Sequence, residues 1–317
     1  MFFNEMKYVY AVYQHRNFSK AAQALGIAQP TLSLMIKKAE AHLGGEIFDR
    51  TKTPLGLTDL GRAYIQASIR IMRIEDEFSQ YLSANEQVPS GILTLGGTPM
   101  FISYVLPSLL TIFCTRYPGV EIRLHDHPSY MLEKDLNDGV LDLAMDNAQL
   151  DPVRFDSCVF QPEELILAAP RKKAEEASLR LYRMTSSYIQ RGGIQGAAAI
   201  PLKNLSDMPF ILLRKDSDTR IRSDKLCREA GFEPKIQLQV DQQITAYNMA
   251  AAGLGAAFIS DTLVNHLPHN DRLMFFRLSG ENARREIRFF TRKGAPLSAP
   301  ASAFLKMFQN YKPLPEE

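Results

Sequence analysis

Cysteine is scarce in this chain of 317 residues: Cys114, Cys158 and Cys227 lie far apart, and no Cys-x-x-Cys pair occurs. A disulfide framework is thereby excluded, and reduced thiols in a cytosolic protein are expected. A strong charge of either sign is missing too. Lys and Arg number 37 against 35 Asp and Glu, a net +2, so any surface for a polyanion must be local. Long apolar runs are also absent. The uncharged stretch from Gln87 to Thr115 is broken by Pro89, Gly91, Gly96, Gly97, Pro99 and Pro107, which reads as a strand, a turn and a helix rather than a membrane span. The opening "MFFNEMKYVYAV" has no basic n-region and carries Glu5. No signal peptide is expected, and no membrane partner.

Motifs of catalysis are equally lacking. There is no Gly-x-Ser-x-Gly and no P-loop, and the adjacent Glu163 and Glu164 point to opposite faces of a strand. "AGLGAAF" has Phe258 where a dinucleotide fingerprint needs glycine, and it precedes a strand instead of following one. Gly253 and Gly255 read better as helix-end and turn residues. "HDH" sets His125 and His127 on one face of a strand, but no third ligand with metal spacing lies nearby. No catalytic residue, metal or cofactor is expected.

What is present is ordinary globular composition, 45% hydrophobic and 23% charged, in a length that suits two or three domains of roughly 100–150 residues. Met6, Val9, Tyr10 and Tyr13 repeat at helical spacing. In "NFSKAAQALGIAQP", Ser19 is an N-cap candidate and Ala21, Ala22 and Leu25 make a short helix with a small-residue side. Gly26 suits a tight inter-helix turn, with Ile27 plugging the core. "AQPTLSLMIKK" then opens a helix with Pro30 as its first residue. Leu32, Ile36, Ala39 and Leu43 point inward, and Gly44-Gly45 ends it.

The outer face of that helix shows Gln29, Thr31, Ser33, Lys37 and Lys38. Two helices joined by a glycine turn, the second with a polar face, form a helix-turn-helix. In a major groove, Gln29 and Ser33 would meet base edges. Thr31 and Lys37 would meet phosphates, and the helix N-terminus begun by Pro30 would add its N–H groups. "IFDRTKTPLGLT" reads as a strand and turn, a wing from which Arg50 and Lys52 reach the minor groove or nearby phosphates. Residues 1–57 carry seven Lys and Arg against four acidic residues. The same spacing also fits a small helical domain with solvated charges.

The longer segment "FSKAAQALGIAQPTLSLMIKKAEAHLGGEIFDRTKTPLGLTDLG" resembles the winged helix of LysR-type transcriptional regulators, and the likeness runs along nearly the whole chain. It rests on Phe-Ser-x-Ala-Ala-x-x-Leu, then Gln-Pro-x-Leu-Ser, Ile-Lys, a Glu, Leu-Gly, Phe-x-Arg-Thr and Leu-Thr-x-x-Gly. The chain departs from the family's usual Ser at Ala28, Arg at Leu34 and Leu at Ala39. Leu34 would meet a thymine methyl instead of making an Arg contact, so the preferred operator is expected to differ. The resemblance implies a regulator bound to double-stranded DNA as a homodimer, with dimers often pairing into a homotetramer.

Thr58 caps a segment running to about Asn85. Tyr64, Ala67, Ile71, Ile74, Phe78 and Tyr81 alternate steps of three and four, a coiled-coil seam on a helix roughly 40 Å long. That stripe either pairs with a second copy or packs on its own C-terminal domain. Dimerisation is expected, since recognition helices on half-sites about 34 Å apart need such a spacer. The expected domains are a winged helix over 1–58, a linker helix over 59–88 and an effector domain over 89–317.

After "VPSG", strands and helices alternate, as in βαβ units on a mostly parallel sheet. Two lobes are expected, lobe I over about 91–162 and 269–317 and lobe II over about 163–268. "RLMFFRLSG" and "EIRFFTRK" would return the chain to the first lobe. The fold class is therefore α+β multidomain, ending in a two-lobed α/β unit like periplasmic binding proteins. Ligands in such sheets sit beyond the carboxyl ends of strands. There "GGTPM" places Thr98, Pro99 and Met100, with Gly97 allowing close backbone approach, and His127, Asp146 and Arg214 end other strands. Thr98 either lines the cleft or caps its helix, and Arg214 either points inward or lies on the surface. Inward, it would favour a small anion, with Asp146 opposing. "YRMTSSYIQRGGIQGAAAI", residues 182–200, is either a lid or an inert surface insertion. The expected function is transcriptional regulation under a small-molecule effector; the alternative is a small-molecule-binding protein or enzyme whose N-terminal helices serve only assembly.

Overall fold

The computed structural model describes residues 3–52, 54–82, 89–175 and 177–308. It divides into an N-terminal unit and a C-terminal unit. In the first, α1 (Phe3–His15) turns Met6, Val9 and Val12 inward. Helix α2 (Phe18–Ala24) starts two residues earlier than the sequence suggests, so its N-cap is Asn17, whose side chain accepts the Lys20 N–H at 3.0 Å, and not Ser19. Gly26 takes the left-handed turn at φ 66°. Helix α3 (Gln29–Leu43) begins at Gln29, placing Pro30 second; the methyl of Ala28 makes no capping hydrogen bond, and Gly44 closes the helix at φ 70°. The wing is β1 (Phe48–Asp49) antiparallel to β2 (Gly56–Leu57).

Helix α4 (Asp59–Leu82) follows. The Thr58 hydroxyl accepts the Gly61 N–H at 2.9 Å, capping it. Gly61 is glycine for a steric reason: a Cβ there would lie 2.0 Å from the Ile47 carbonyl oxygen. The start of α4 is also part of the core, because Tyr64 and Ile65 pack with Val9, Val12, Leu32, Ile36 and Phe48. A domain boundary at residue 58 therefore cuts through this core. Tyr64, placed in the seam from spacing, is consumed by its own domain at 6% exposure.

The C-terminal unit opens with β3 (Gly91–Gly97), a π turn over Phe101–Val105 that runs into α5 (Leu106–Arg116), β4 (Val120–Asp126), α6 (Ser129–Asn137) and β5 (Leu143–Asp146). The 16-residue β6 (Phe155–Pro170) leads to α7 (Arg171–Ala174), β7 (Arg183–Met184) and α8 (Ser186–Gln190). Then come β8 (Pro209–Leu213), α9 (Asp218–Glu229), β9 (Lys235–Val240), α10 (Gln243–Ala251), β10 (Ala256–Ser260) and α11 (Asp261–Asn265). The chain closes with β11 (Leu273–Arg277), β12 (Arg284–Arg292) and α12 (Ala299–Phe308).

The strand order is β4-β3-β5-β12-β6-β10-β8-β9, with β11 joining β6 to β7. Strands β3, β4 and β5 run parallel, as do β8, β9 and β10. The first part of β6 pairs antiparallel with β12 in lobe I, with a bulge between Ile287 and Arg288, and the rest pairs with β10 and β11 in lobe II. Strand β11 therefore belongs to lobe II, and the chain returns only between Arg277 and Arg284. The reason is its run of apolar residues: Phe275 and Phe276 face opposite layers and both are fully buried.

Alternation along the strands gives lobe II two cores, one holding Leu167, Phe210 and Phe258 and the other Ile166, Ile211 and Ile259. Met184, Ile189, Ile194 and Ile200 are buried in these same cores. Residues 182–200 are thus neither lid nor inert decoration; they are a structural part of the lobe. Among the described residues no helix is long and apolar enough to cross a membrane.

Candidate DNA-contacting face and effector cleft

Helix α3 is divided sharply. Leu32, Ile36 and Ala39 are at most 1% exposed. Opposite them, Gln29, Pro30, Thr31, Lys37 and Lys38 are exposed and Ser33 is half-buried. Gln29 Nε2 donates to Ser33 Oγ at 3.1 Å, so the two residues assigned to base edges share one exposed patch. Leu34 stands 56% exposed beside them.

The wing cations are less free than the sequence suggests. Arg50 donates to Glu40 Oε2 at 2.9 Å and lies over the Phe18 ring. Lys52 pairs with Asp49 at 3.2 Å, and the Thr51 hydroxyl, then Lys52, hold the Asp49 carboxyl below its ordinary range. Glu40 escaped sequence reasoning because its partners follow it by seven to ten residues. Its Oε1 accepts the N–H groups of Ile47 at 3.0 Å and Phe48 at 3.5 Å. One carboxylate on α3 thus ties down the wing's backbone and its arginine.

On α4, Ala67 and Ile74 are exposed and Ile71 is half-buried. The side chains of Phe78 and Tyr81 lie outside the described residues, as do residues 83–88 of the expected linker.

In the C-terminal unit, Thr98, Pro99 and Met100 follow β3 and are half-buried. Among the described residues the Thr98 hydroxyl makes no hydrogen bond; its carbonyl accepts the Ile102 N–H at 3.0 Å. Met100 packs against the cores of both lobes, and Tyr104 of the π turn against that of lobe II. The tighter glycine is Gly96, where a Cβ would lie 2.4 Å from Leu141. His127 is tied to α6 through Asp135 at 2.7 Å. Beside it, burial and then the His127 charge push the His125 imidazole pKa down. Asp146 ends β5 almost fully buried; Oδ1 accepts the N–H groups of Asn147 at 2.7 Å and Ala148 at 3.2 Å, and burial raises its carboxyl pKa. Arg214 lies on the surface, its side chain 68% exposed and paired with Asp241.

The buried cation is instead Arg285, on the crossing strand β12. It donates to Glu163 at 2.5 Å, Asp218 at 2.9 Å and the Thr219 hydroxyl at 3.0 Å. Burial works against its charge, and Glu163 and Asp218 more than offset that. Asn147 Nδ2 donates to Glu163 at 2.7 Å, joining the Asp146 turn to the crossing. Glu163 Oε1 and Arg285 Nη2 are buried without a hydrogen-bond partner among the described residues. Glu164, next along β6, holds Arg277 at 3.2 Å and accepts from Gln195 at 3.0 Å. Sequence reasoning missed this network because its bonded members stand 16 to 122 residues apart.

A winged helix with an open recognition face, in one chain with a two-lobed α/β unit whose crossing strands carry buried polar groups, defines a ligand-responsive DNA-binding protein. The family model for the bacterial regulatory helix-turn-helix protein, lysR family, matches residues 3–62, and the LysR substrate binding domain matches residues 86–312. The chain belongs to the LysR family, as a DNA-binding transcriptional regulator with an effector-binding domain. It is 28% identical over 306 residues to YcgK of Bacillus subtilis, described as an uncharacterized HTH-type transcriptional regulator, covering 95% of this chain and 92% of that one. It is 24% identical over 293 residues to the transcriptional dual regulator OxyR of Escherichia coli, covering 92% and 90%. Its fold is shared by full-length CbnR, solved with its target DNA, at TM-score 0.66 and 20% identity over 97% of this chain and 98% of that one. A full-length OxyR variant from Pseudomonas aeruginosa matches at TM-score 0.72 and 20% identity, covering 98% and 94%.

Proposed function

We propose that two copies of this chain place the outer face of α3 in successive major grooves, and that a small molecule between lobes I and II controls the fit. The observation that carries this reading is the division of α3, with a fully buried inner stripe and an outer face of amide, hydroxyl and ammonium groups. Gln29 and Ser33 take base edges, Thr31 and Lys37 take phosphates, and Leu34 takes a thymine methyl. Arg50 and Lys52 reach the backbone once phosphates compete with Glu40 and Asp49. The exposed Ala67 and Ile74 support a second copy along α4; such dimers pair further into tetramers. The protein acts by binding rather than catalysis, in the cytoplasm. Thr98, whose hydroxyl makes no hydrogen bond among the described residues, Pro99 and Met100 supply the ligand's contacts.

Selection of a duplex from a random pool, followed by salt titration, tests the DNA reading. Lys37→Ala should weaken binding evenly across sequences and reduce the slope of log K against log salt by about one. A variant that binds the selected duplex as tightly as the parent, with the same slope, refutes the role given to this face. A metabolite panel read by melting temperature tests the cleft. A stabilising ligand should lose its effect in Thr98→Val, and unchanged stabilisation would place the pocket elsewhere.

A further inference from the structure

Sequence spacing offers His125 and His127 no third ligand, but folding does. Among the described residues, strand β4 stands at the end of the sheet order, an edge strand of lobe I. Residues two apart project from one face, and α6 brings Asp135 to these two histidines. One ligand atom from each of the three lies within 4.8 Å of the others. His127 Nδ1 is 2.7 Å from Asp135 Oδ2. The two rings stand 5.7 Å apart at 84°, so they do not stack. The side chains of His127 and Asp135 are 31% and 16% exposed, sheltered yet reachable from solvent.

We propose that His125, His127 and Asp135 form a binding site for a divalent first-row transition-metal ion, of which zinc is the representative. Two imidazole nitrogens and a carboxylate oxygen suit zinc and its neighbours. They are a poor match for calcium or magnesium, which take oxygen donors. With metal–ligand bonds of about 2.0–2.1 Å, tetrahedral ligand atoms sit roughly 3.4 Å apart. The present cluster needs only to draw His125 inward and let His127 and Asp135 part slightly. The proton held between Nδ1 and Oδ2 leaves as the ion arrives, and water completes the fourth position. Arg123, the next residue on that face, does not oppose the ion unanswered, because Glu121 engages it at 2.8 Å. The competing reading is a plain staple, with His127 and Asp135 fastening β4 to α6 and His125 a bystander.

The site is independent of the DNA reading, but its position gives it reach. The His127 N–H donates to the Gly97 carbonyl at 3.2 Å, and Gly97 directly precedes Thr98. An ion fixing His127 therefore fixes the strand end from which the "GGTPM" turn springs.

The test uses the full chain, stripped with chelator and titrated with zinc chloride by calorimetry and with cobalt(II) by visible absorption. One ion should bind at this site per chain, with the intense cobalt bands of a tetrahedral nitrogen-containing site. His125→Gln and Asp135→Asn should each weaken binding about tenfold or more and collapse those bands. His15→Gln, on exposed α1 surface, should change neither. Absence of binding, or unchanged affinity and bands in His125→Gln, overturns the proposal. That variant decides alone if Asp135→Asn fails to fold, since His125 takes no part in the 2.7 Å bond.

Discussion

Asp261 stores a pH dependence in lobe II that can be worked out from its surroundings. It opens α11, and its Oδ1 accepts the N–H groups of Glu164 at 2.9 Å and Thr262 at 2.8 Å. Burial first, and the nearby Glu163 charge second, push its carboxyl up to about 7. In an unfolded chain the same group titrates near 3.9. Between those values the folded protein keeps a proton that the unfolded chain has released. The group's contribution to stability is therefore complete below about pH 4 and drains away as pH rises through about 7. Between pH 5 and pH 8 the loss amounts to about 2–3 kcal/mol. Asp261→Asn retains an oxygen for both N–H donors and cannot ionise, so it should escape that loss. Urea unfolding of parent and variant, followed by circular dichroism at both pH values, isolates the effect as a difference of differences. If the two proteins lose equal stability from pH 5 to pH 8, the buried-carboxyl argument fails.

Two further outcomes follow from the winged helix. Gly61→Ala forces a Cβ to 2.0 Å from the Ile47 oxygen, so α4 must move off the wing, at a cost on the order of 3 kcal/mol; a melting temperature equal to the parent's would contradict this. Glu40→Ala orphans the Ile47 N–H and should cost about 1–3 kcal/mol. Glu40→Gln keeps an acceptor for the Ile47 N–H and should cost less, so equal losses in thermal melts would rule out that hydrogen bond as the source of the stability.

Much of this architecture was legible because it is written in local periodicity. Leu32, Ile36 and Ala39 are inside because their spacing leaves no other arrangement, and Gly26 and Gly44 turn where the chain needs left-handed backbone. The strands of the α/β unit showed themselves as short apolar runs bounded by breakers. Tertiary competition set the limit. Tyr64 fits a coiled-coil stripe and a domain core equally well by spacing, and the core claims it. "RLMFFR" reads as a returning strand until Phe275 and Phe276 are seen filling two layers of lobe II. Arg214 ends a strand as expected but finds Asp241 at the surface, while Arg285 holds the buried position. Nothing local connects Arg285 with Glu163, or Asp135 with a histidine pair on another element.

The ribbon formed by β6 and β12 has a mechanical consequence. Its two strands are paired from Phe155 opposite Arg292 to Glu164 opposite Arg284, with the bulge between Ile287 and Arg288, and beyond it the same β6 continues into lobe II. Paired strands already carry a right-handed twist, and a bulge adds to it locally. Any rearrangement of one lobe against the other must therefore strain β6 between Glu164, paired with β12, and Leu165, paired with β10.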